Sequence, residues 1–197
     1  WVGNTEAISI IDFGAQLIYE ISSSLPSSAV YSFIETDDGK FWLSRQYSGY
    51  DIIDLEKKTI RQFNQENGLL GTFNLAVHQD KDGLIWLSSD SGVNIINLKN
   101  GKNSQLTAEN GLPSPFVANF YKDKTDRLWI GTSSGAMVID ANRTVSTNYL
   151  NSALFNDMEG AVSIYQDTSG LFWIGGTNGM MYQYDESKQV LQRFKIT

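Results

Sequence analysis

The sequence predicts an all-β chain folded as a β-propeller of four-stranded antiparallel blades, and three observations carry the prediction. All five tryptophans, Trp1, Trp42, Trp86, Trp129 and Trp173, fall in one phase, separated by 41, 44, 43 and 44 residues. Other columns repeat with them: Gly49, Gly92, Gly135 and Gly179 come six or seven residues after a tryptophan, and Gly39, Gly83, Asp126 and Gly170 come three before one. Strand signals fill every period, and no stretch holds helical periodicity beyond a turn or two. Repeats of about 40 to 50 residues mark propellers or solenoids, and strands decide for the propeller.

Within a period the elements keep one order. An alternating segment comes first: "VYSFIE", "LAVHQD", "VANFYK" or "VSIYQD". Its Tyr31 and Phe33 correspond to Leu75 and Val77, to Ala118 and Phe120, and to Val162 and Ile164. A tight turn follows ("TDDGK", "DKDGL", "KTDRL", "DTSGL"), where glycine, or an Asp that tolerates a left-handed backbone, lets two strands fold back. The tryptophan strand comes next, then a loop of small residues ending in glycine, then "YDIIDL", "VNIINL", "AMVID" or "MMYQYD". A fourth strand such as "TIRQFN" or "VLQRFK" closes the unit.

A single four-stranded sheet buries neither face, so neighbouring sheets must stack. The tryptophan is the expected wedge between them. Ser44, Ser88, Gly131 and Gly175 leave room beside it where backbones approach. Four periods cover the 172 residues from Trp1 to Trp173, and the remaining 24 hold the last three strands of a fifth unit. Residues 1–197 therefore form one propeller segment of about five blades, the first lacking its innermost strand. A ring seldom begins in mid-strand, so the expectation is an arc of a larger, about seven-bladed propeller. Opening on Trp1 rather than Met, the chain is expected to be cut from something longer.

Composition sets outer limits on function. The 197 residues are 41% hydrophobic and carry a net charge of −7, with the acidic residues spread out. Such a surface gives no electrostatic reason to bind nucleic acid or an anionic membrane. There is no cysteine, hence no disulfide, thiol nucleophile or zinc–cysteine cluster. No apolar run nears the roughly 20 residues that span a bilayer, and "WVGNTEAISI" lacks the pattern of a signal peptide.

Catalytic motifs are few. His78 is the one histidine, and it shares a repeat column with Ile34, Tyr121 and Tyr165, which makes it a packing residue. The Asp clusters in "TDDG" and "DKDG" lack the spacing of a calcium loop and serve as hairpin turns. Acidic pairs such as Glu109 with Asp123, or Asp157 with Glu159, have the chemistry of a glycosidase only if held about 5 to 10 Å apart. "GGTNG" lies between two strands rather than before a helix, so it does not cradle phosphate. No catalytic residue, metal or cofactor is expected.

For binding, the loop between second and third strands draws notice. Three units have "SSDSG", "GTSSG" and "GGTNG" there, whereas the second offers Arg45, Gln46 and Tyr47. Such side chains hydrogen-bond and stack on a sugar ring or grip a carboxylate. Residues 151–159, in the loop before the fifth unit, are a second departure from the repeat.

Set side by side, "DKTDRLWIGTSSGAMVID" and "DTSGLFWIGGTNGMMYQYD", with "ENGLPSPFVANFYKD" between them, resemble two-component regulator propeller repeats. The connecting loops share the family's Asn-Gly-Leu at Asn67-Gly68-Leu69 and Asn110-Gly111-Leu112. The second unit departs, with "WLSRQYSG" for "WIGTxxG", and "NSALFNDMEG" replaces "NGLP" before the fifth. The resemblance implies the periplasmic sensor region of a hybrid two-component system of Bacteroidetes type. It implies a parent with two propellers, a β-sandwich domain, a membrane helix and a cytoplasmic histidine kinase. Glycan breakdown products are the implied ligands, so the expected partners are an oligosaccharide or other small ligand, the neighbouring propeller and β-sandwich domains, and a second receptor copy in a homodimer. Two other classes stay open: a propeller enzyme of the streptogramin-lyase type, which needs a catalytic histidine and a metal, and an interaction scaffold like WD-repeat propellers.

Overall fold

The computed structural model describes residues 29–142 and 158–195 in full and, as backbone strands, 2–3, 8–12, 17–20 and 145–148. Strands β1 (Val2–Gly3), β2 (Ile8–Asp12) and β3 (Leu17–Glu20) form the first sheet. The second holds β4 (Val30–Glu35), β5 (Phe41–Arg45), β6 (Gly49–Asp54) and β7 (Thr59–Phe63). The third holds β8 (Val77–Gln79), β9 (Leu84–Ser89), β10 (Gly92–Asn97) and β11 (Lys102–Leu106). The fourth holds β12 (Val117–Lys122), β13 (Leu128–Thr132), β14 (Gly135–Ile139) and β15 (Val145–Asn148). The fifth holds β16 (Ser163–Gln166), β17 (Phe172–Gly175), β18 (Met180–Asp185) and β19 (Val190–Lys195).

Every sheet is an antiparallel meander in chain order, the blade that the repeat demands. Inner strands lie against one another, β4 against β8 and β12 against β16, so the blades stand side by side around an axis. The register confirms the repeat columns: Ile34, His78, Tyr121 and Tyr165 each sit opposite a tryptophan, Trp42, Trp86, Trp129 and Trp173.

The tryptophans act as wedges. Trp42 clusters with Leu69, Val77, Ile85 and Leu87 of the next unit, and Trp86 with Leu112, Leu128, Ile130 and Met137 of the one after. Trp129 clusters with Phe172, Ile174, Tyr182 and Tyr184 of the fifth blade, its ring 4.3 Å from that of Phe172 between centroids. All three are at most 2% exposed. Trp173 is half-buried and stacks on Phe194 of its own sheet. Trp1 lies outside the described residues.

The small residues beside the wedges are there because backbones meet. A Cβ on Gly131 would fall 2.1 Å from the carbonyl oxygen of Ala161 in the next unit. Gly49, Gly92, Gly135 and Gly179 all have positive φ, and a Cβ on Gly49 would also strike the Phe63 carbonyl at 2.3 Å. Polar contacts sew the same seams. The Tyr50 hydroxyl, fully buried, lies 2.8 Å from the Ala76 carbonyl and 2.7 Å from that of Ser88. Arg127 donates to both carboxylate oxygens of Glu186 at 2.8 and 2.7 Å and to Asp123 at 2.7 Å, tying the fourth blade to the fifth.

In the third, fourth and fifth blades one Asp holds the wedge by its only polar atom. The indole Nε1 of Trp86 donates to Asp80 at 3.1 Å, that of Trp129 to Asp123 at 2.9 Å, and that of Trp173 to Asp167 at 2.9 Å. The other carboxylate oxygen caps the hairpin between first and second strands, as Asp80 accepts from the amides of Asp82 and Leu84, and Asp167 from those of Ser169 and Leu171. Hydrogen bonds from Ser169 and Trp173 hold the Asp167 carboxyl down to about 2. At Asp123 burial pulls upward, yet bonds from Trp129, Thr125 and Arg127 prevail and the carboxyl titrates below its usual range.

The second blade breaks this rule. Thr36 occupies the column of Asp80, Asp123 and Asp167, and the buried Nε1 of Trp42 has no hydrogen-bond partner. An orphaned buried donor costs about 1–3 kcal/mol. Thr36→Asp should therefore raise stability by about 1 kcal/mol, measured by chemical denaturation, since its carboxylate can reach the amides of Asp38 and Lys40 as well as the indole. Loss of stability in that variant would show that the Asp–indole bond is not what secures the wedge.

Candidate functional site

The loops from β5 to β6, β9 to β10, β13 to β14 and β17 to β18 share one face with the long connections between blades. Local sequence explains the long connections. Asn67 accepts from the Asn64 amide at 2.7 Å and donates to the Gln62 carbonyl, which closes the 3-10 turn Gln65–Asn67. Gly68 then turns left-handed at φ 102°, and Leu69, 5% exposed, plugs the blade interface beside Trp42. Asn110, Gly111 and Leu112 repeat the device beside Trp86. In the connection to the fifth blade, residues 151–157, Asp157 included, lie outside the described residues. Met158, 4% exposed, fills the equivalent place beside Trp129.

Of the three residues singled out for binding, the structure exposes one fully. Tyr47 is 67% exposed at a φ of 61°, a left-handed backbone that a tyrosine seldom adopts. Gln46 is half-buried and bridges to Phe73. Arg45 is 2% exposed and turns inward, its Nε 3.5 Å from the carboxylate of Asp51. Burial pushes the Asp51 carboxyl up, against the pull of Arg45 and Gln62.

Tyr47 belongs to an aromatic arc that sequence spacing did not disclose. Phe73 meets Tyr47 edge-on at 5.1 Å between centroids, Phe116 at 5.6 Å and Tyr31 at 6.3 Å. Tyr31, 51% exposed, stands where β4 bulges between Val30 and Ser32. A bulge re-aims the side chain of the extra residue. Two openings flank the arc. A groove of about 350 Å³ between the second and third blades is lined by Tyr47, Gln62, Asn64, Gln65, Glu66 and Thr72. A concavity of about 340 Å³ beside the inner strands is lined by Tyr31, Leu75, Phe116, Asn119 and Val162.

The opposite face carries His78 and Asp123, whereas Glu109 and Glu159 lie in connections on the same face as Tyr47. His78 packs across from Trp86 with its Nε2 buried and unpartnered, beside a cavity of about 30 Å³ bordered by Asp80, Lys122 and Asp126. Burial lowers its pKa, Asp80 raises it and Lys122 lowers it again. Glu109 lies in the loop before β12 and Asp123 just after that strand, so a whole strand separates them, and Asp123 is committed to Trp129. Among the described residues, no group of three or more His, Cys, Asp or Glu side chains gathers as a metal would require. No helix among them is long and apolar enough to cross a membrane.

Comparison with known proteins fits this architecture. Residues 111–134, from Gly111 through β12 and the Trp129 strand to Ser134, match the family model of the two component regulator propeller. The chain thus carries the repeat of that family. No curated protein sequence matches it. Among solved structures it is similar to the extracellular domain of a protein described as a hybrid two component system of B. thetaiotaomicron, at TM-score 0.72 and 18% identity over 99% of this chain and 28% of that one. A second such domain from the same organism gives TM-score 0.67 at 18% identity, over 99% of this chain and 31% of that one. Virginiamycin B lyase from Staphylococcus aureus gives TM-score 0.68 at 17% identity, over 98% of this chain and 64% of that one. At such identities the likeness is one of fold, and the chain spans less than two thirds of each relative.

The state of His78 is open to direct test. Its pKa in the folded protein lies below the ordinary 6.5, so the unfolded chain takes up the proton first as pH falls. The stability tied to the neutral ring is full above pH 6.5 and is lost as pH drops from there through the folded value. His78→Phe should fold normally at neutral pH and lose less stability than the parent between about pH 7 and 5. Identical pH slopes in denaturant midpoints for the two proteins would contradict this account.

Proposed function

We propose that this chain is a ligand-sensing segment in the extracytoplasmic, periplasmic part of a hybrid two-component receptor, without catalytic activity of its own. The observation that carries it is the aromatic arc of Tyr31, Tyr47, Phe73 and Phe116 beside an open groove, built on a two component regulator propeller repeat. The ligand is a glycan breakdown product. Tyr47 stacks on a sugar ring, Gln46 and the groove amides of Gln62 and Asn64 bind its hydroxyls, and Arg45, paired with Asp51, steadies the loop from below. The segment sits in an arc of a larger propeller, and ligand binding alters its fit against neighbouring propeller and β-sandwich domains or a second receptor copy. A cytoplasmic histidine kinase on the same parent chain reads out that change.

A lyase is the second reading, favoured only by the fold shared with virginiamycin B lyase. It requires a reactive histidine and a metal, and the single histidine here is packed against a wedge tryptophan on the face away from the groove. A scaffold role is compatible with sensing, because receptor copies must touch.

Calorimetric titration of the protein with plant and host oligosaccharides tests the proposal. Binding is expected, with a loss of about 1–3 kcal/mol in Tyr47→Ala, the worth of one stacked ring and its reordering. Silence across the panel, or unchanged affinity in that variant, would remove the glycan-sensing role from this face.

A further inference from the structure

The aromatic face has a one-signed charge pattern. Its described loops (residues 46–48, 64–76, 90–91, 107–116, 133–134, 158–162 and 176–179) contain Glu66, Asp90, Glu109 and Glu159, and no Lys, Arg or His. The cations near this end of the strands are ill placed to compensate: exposed Arg61 of β7 is next in sequence to the groove-lining Gln62, but alternation along the strand turns it to the other face of the sheet. Arg45 is buried against Asp51, and Lys195 ends the outer strand of the fifth blade, whereas the groove lies between the second and third. The hairpins of the opposite face hold Lys40, Lys57, Lys81, Lys99, Lys124 and Arg127. The repeat has thus sorted its basic side chains away from the groove. Asp90 remains a charge beside it, although its carboxylate accepts from the Thr72 amide at 2.9 Å.

Like charges on one face add their potentials and a low-dielectric wall focuses the field; of the four acidic residues, Glu66 lines the groove and Asp90 is bonded to Thr72 of its wall. A uronate or sulfate entering here would meet Glu66 in the groove wall with no guanidinium or ammonium to receive it. An uncharged sugar ring loses nothing, since stacking on Tyr47 and hydrogen bonds from Gln62 and Asn64 need no charge. An ammonium group gains from the same field and from the faces of Tyr47 and Phe73.

We propose that the face filters ligands by charge: the groove beside Tyr47 takes an uncharged or amine-bearing saccharide and rejects anionic ones. The inference rests on the ligand-sensing role proposed above and narrows its ligand class.

Titration calorimetry on the intact protein, with neutral, amine-bearing and uronate tetrasaccharides as probes, decides it. At low salt the uronate should bind at least about tenfold more weakly than the neutral probe, with the gap shrinking as salt screens the face. Glu66→Gln, a mild change at an exposed site, should narrow the gap by tightening uronate binding. Glu66→Lys should narrow it further. Uronate binding as tight as neutral binding, or a gap indifferent to salt and to both variants, would overturn the charge filter while leaving sensing in place. Absence of binding by all three classes would instead overturn the sensing role, and the filter with it.

Discussion

An indole wedged against the next blade, and in the last three blades clamped by a carboxylate, underlies the arrangement. A four-stranded sheet has two apolar faces and cannot cover either alone. The tryptophan covers the largest share of the next sheet that any side chain can, but its Nε1–H must find an acceptor in the dry interface. Asp80, Asp123 and Asp167 supply it with one oxygen while the other caps the adjoining hairpin. The same side chain therefore fixes a turn and a wedge. Turn, strand register and blade packing cannot drift independently, because a shift in any of them breaks a buried hydrogen bond.

The fold was legible in the sequence because this device leaves its mark in rare residues at a fixed interval. Trp42, Trp86 and Trp129 lie where the period put them, and the positive φ at Gly49, Gly92, Gly135 and Gly179 explains why that column admits little else. The carboxylate partners were less legible. Asp80, Asp123 and Asp167 look like turn residues, which they also are, and nothing in a linear pattern says that a side chain reaches six residues along a hairpin. Thr36 therefore passed unnoticed, although it leaves the Trp42 donor unpartnered.

The candidate site was legible only in part, for a related reason. A loop that departs from its own repeat pointed to Arg45, Gln46 and Tyr47, and Tyr47 is exposed as a contact residue must be. Direction did not follow from composition. Arg45 ends strand β5 on the inward side, where Asp51 of the neighbouring strand receives it. Phe73 and Phe116 occupy equivalent places in two connecting loops, which spacing reveals, but that Phe73 meets Phe116, Tyr31 and Tyr47 together depends on the bulge in β4 and on curvature around the axis. Contacts between blades are long-range, and a repeat shows each blade without showing what its loops meet.

The division of labour between the two faces follows from the same geometry. Hairpins on one face supply the Asp that clamps the wedge in the last three blades, and cations gather there: Arg127 donates to the Asp123 carboxylate, and Lys124 to the backbone carbonyl of Asp167. The other face is freed from that duty. Its short loops need only a glycine that turns left-handed, and its long connections need only an Asn-Gly-Leu device that closes on itself and plugs the seam. Side chains between those fixed points are not held by packing, so they can vary without cost to the blades. Tyr47 and Glu66 stand at such exposed places, and a recognition surface can be rewritten there while the wedges beneath keep the scaffold rigid.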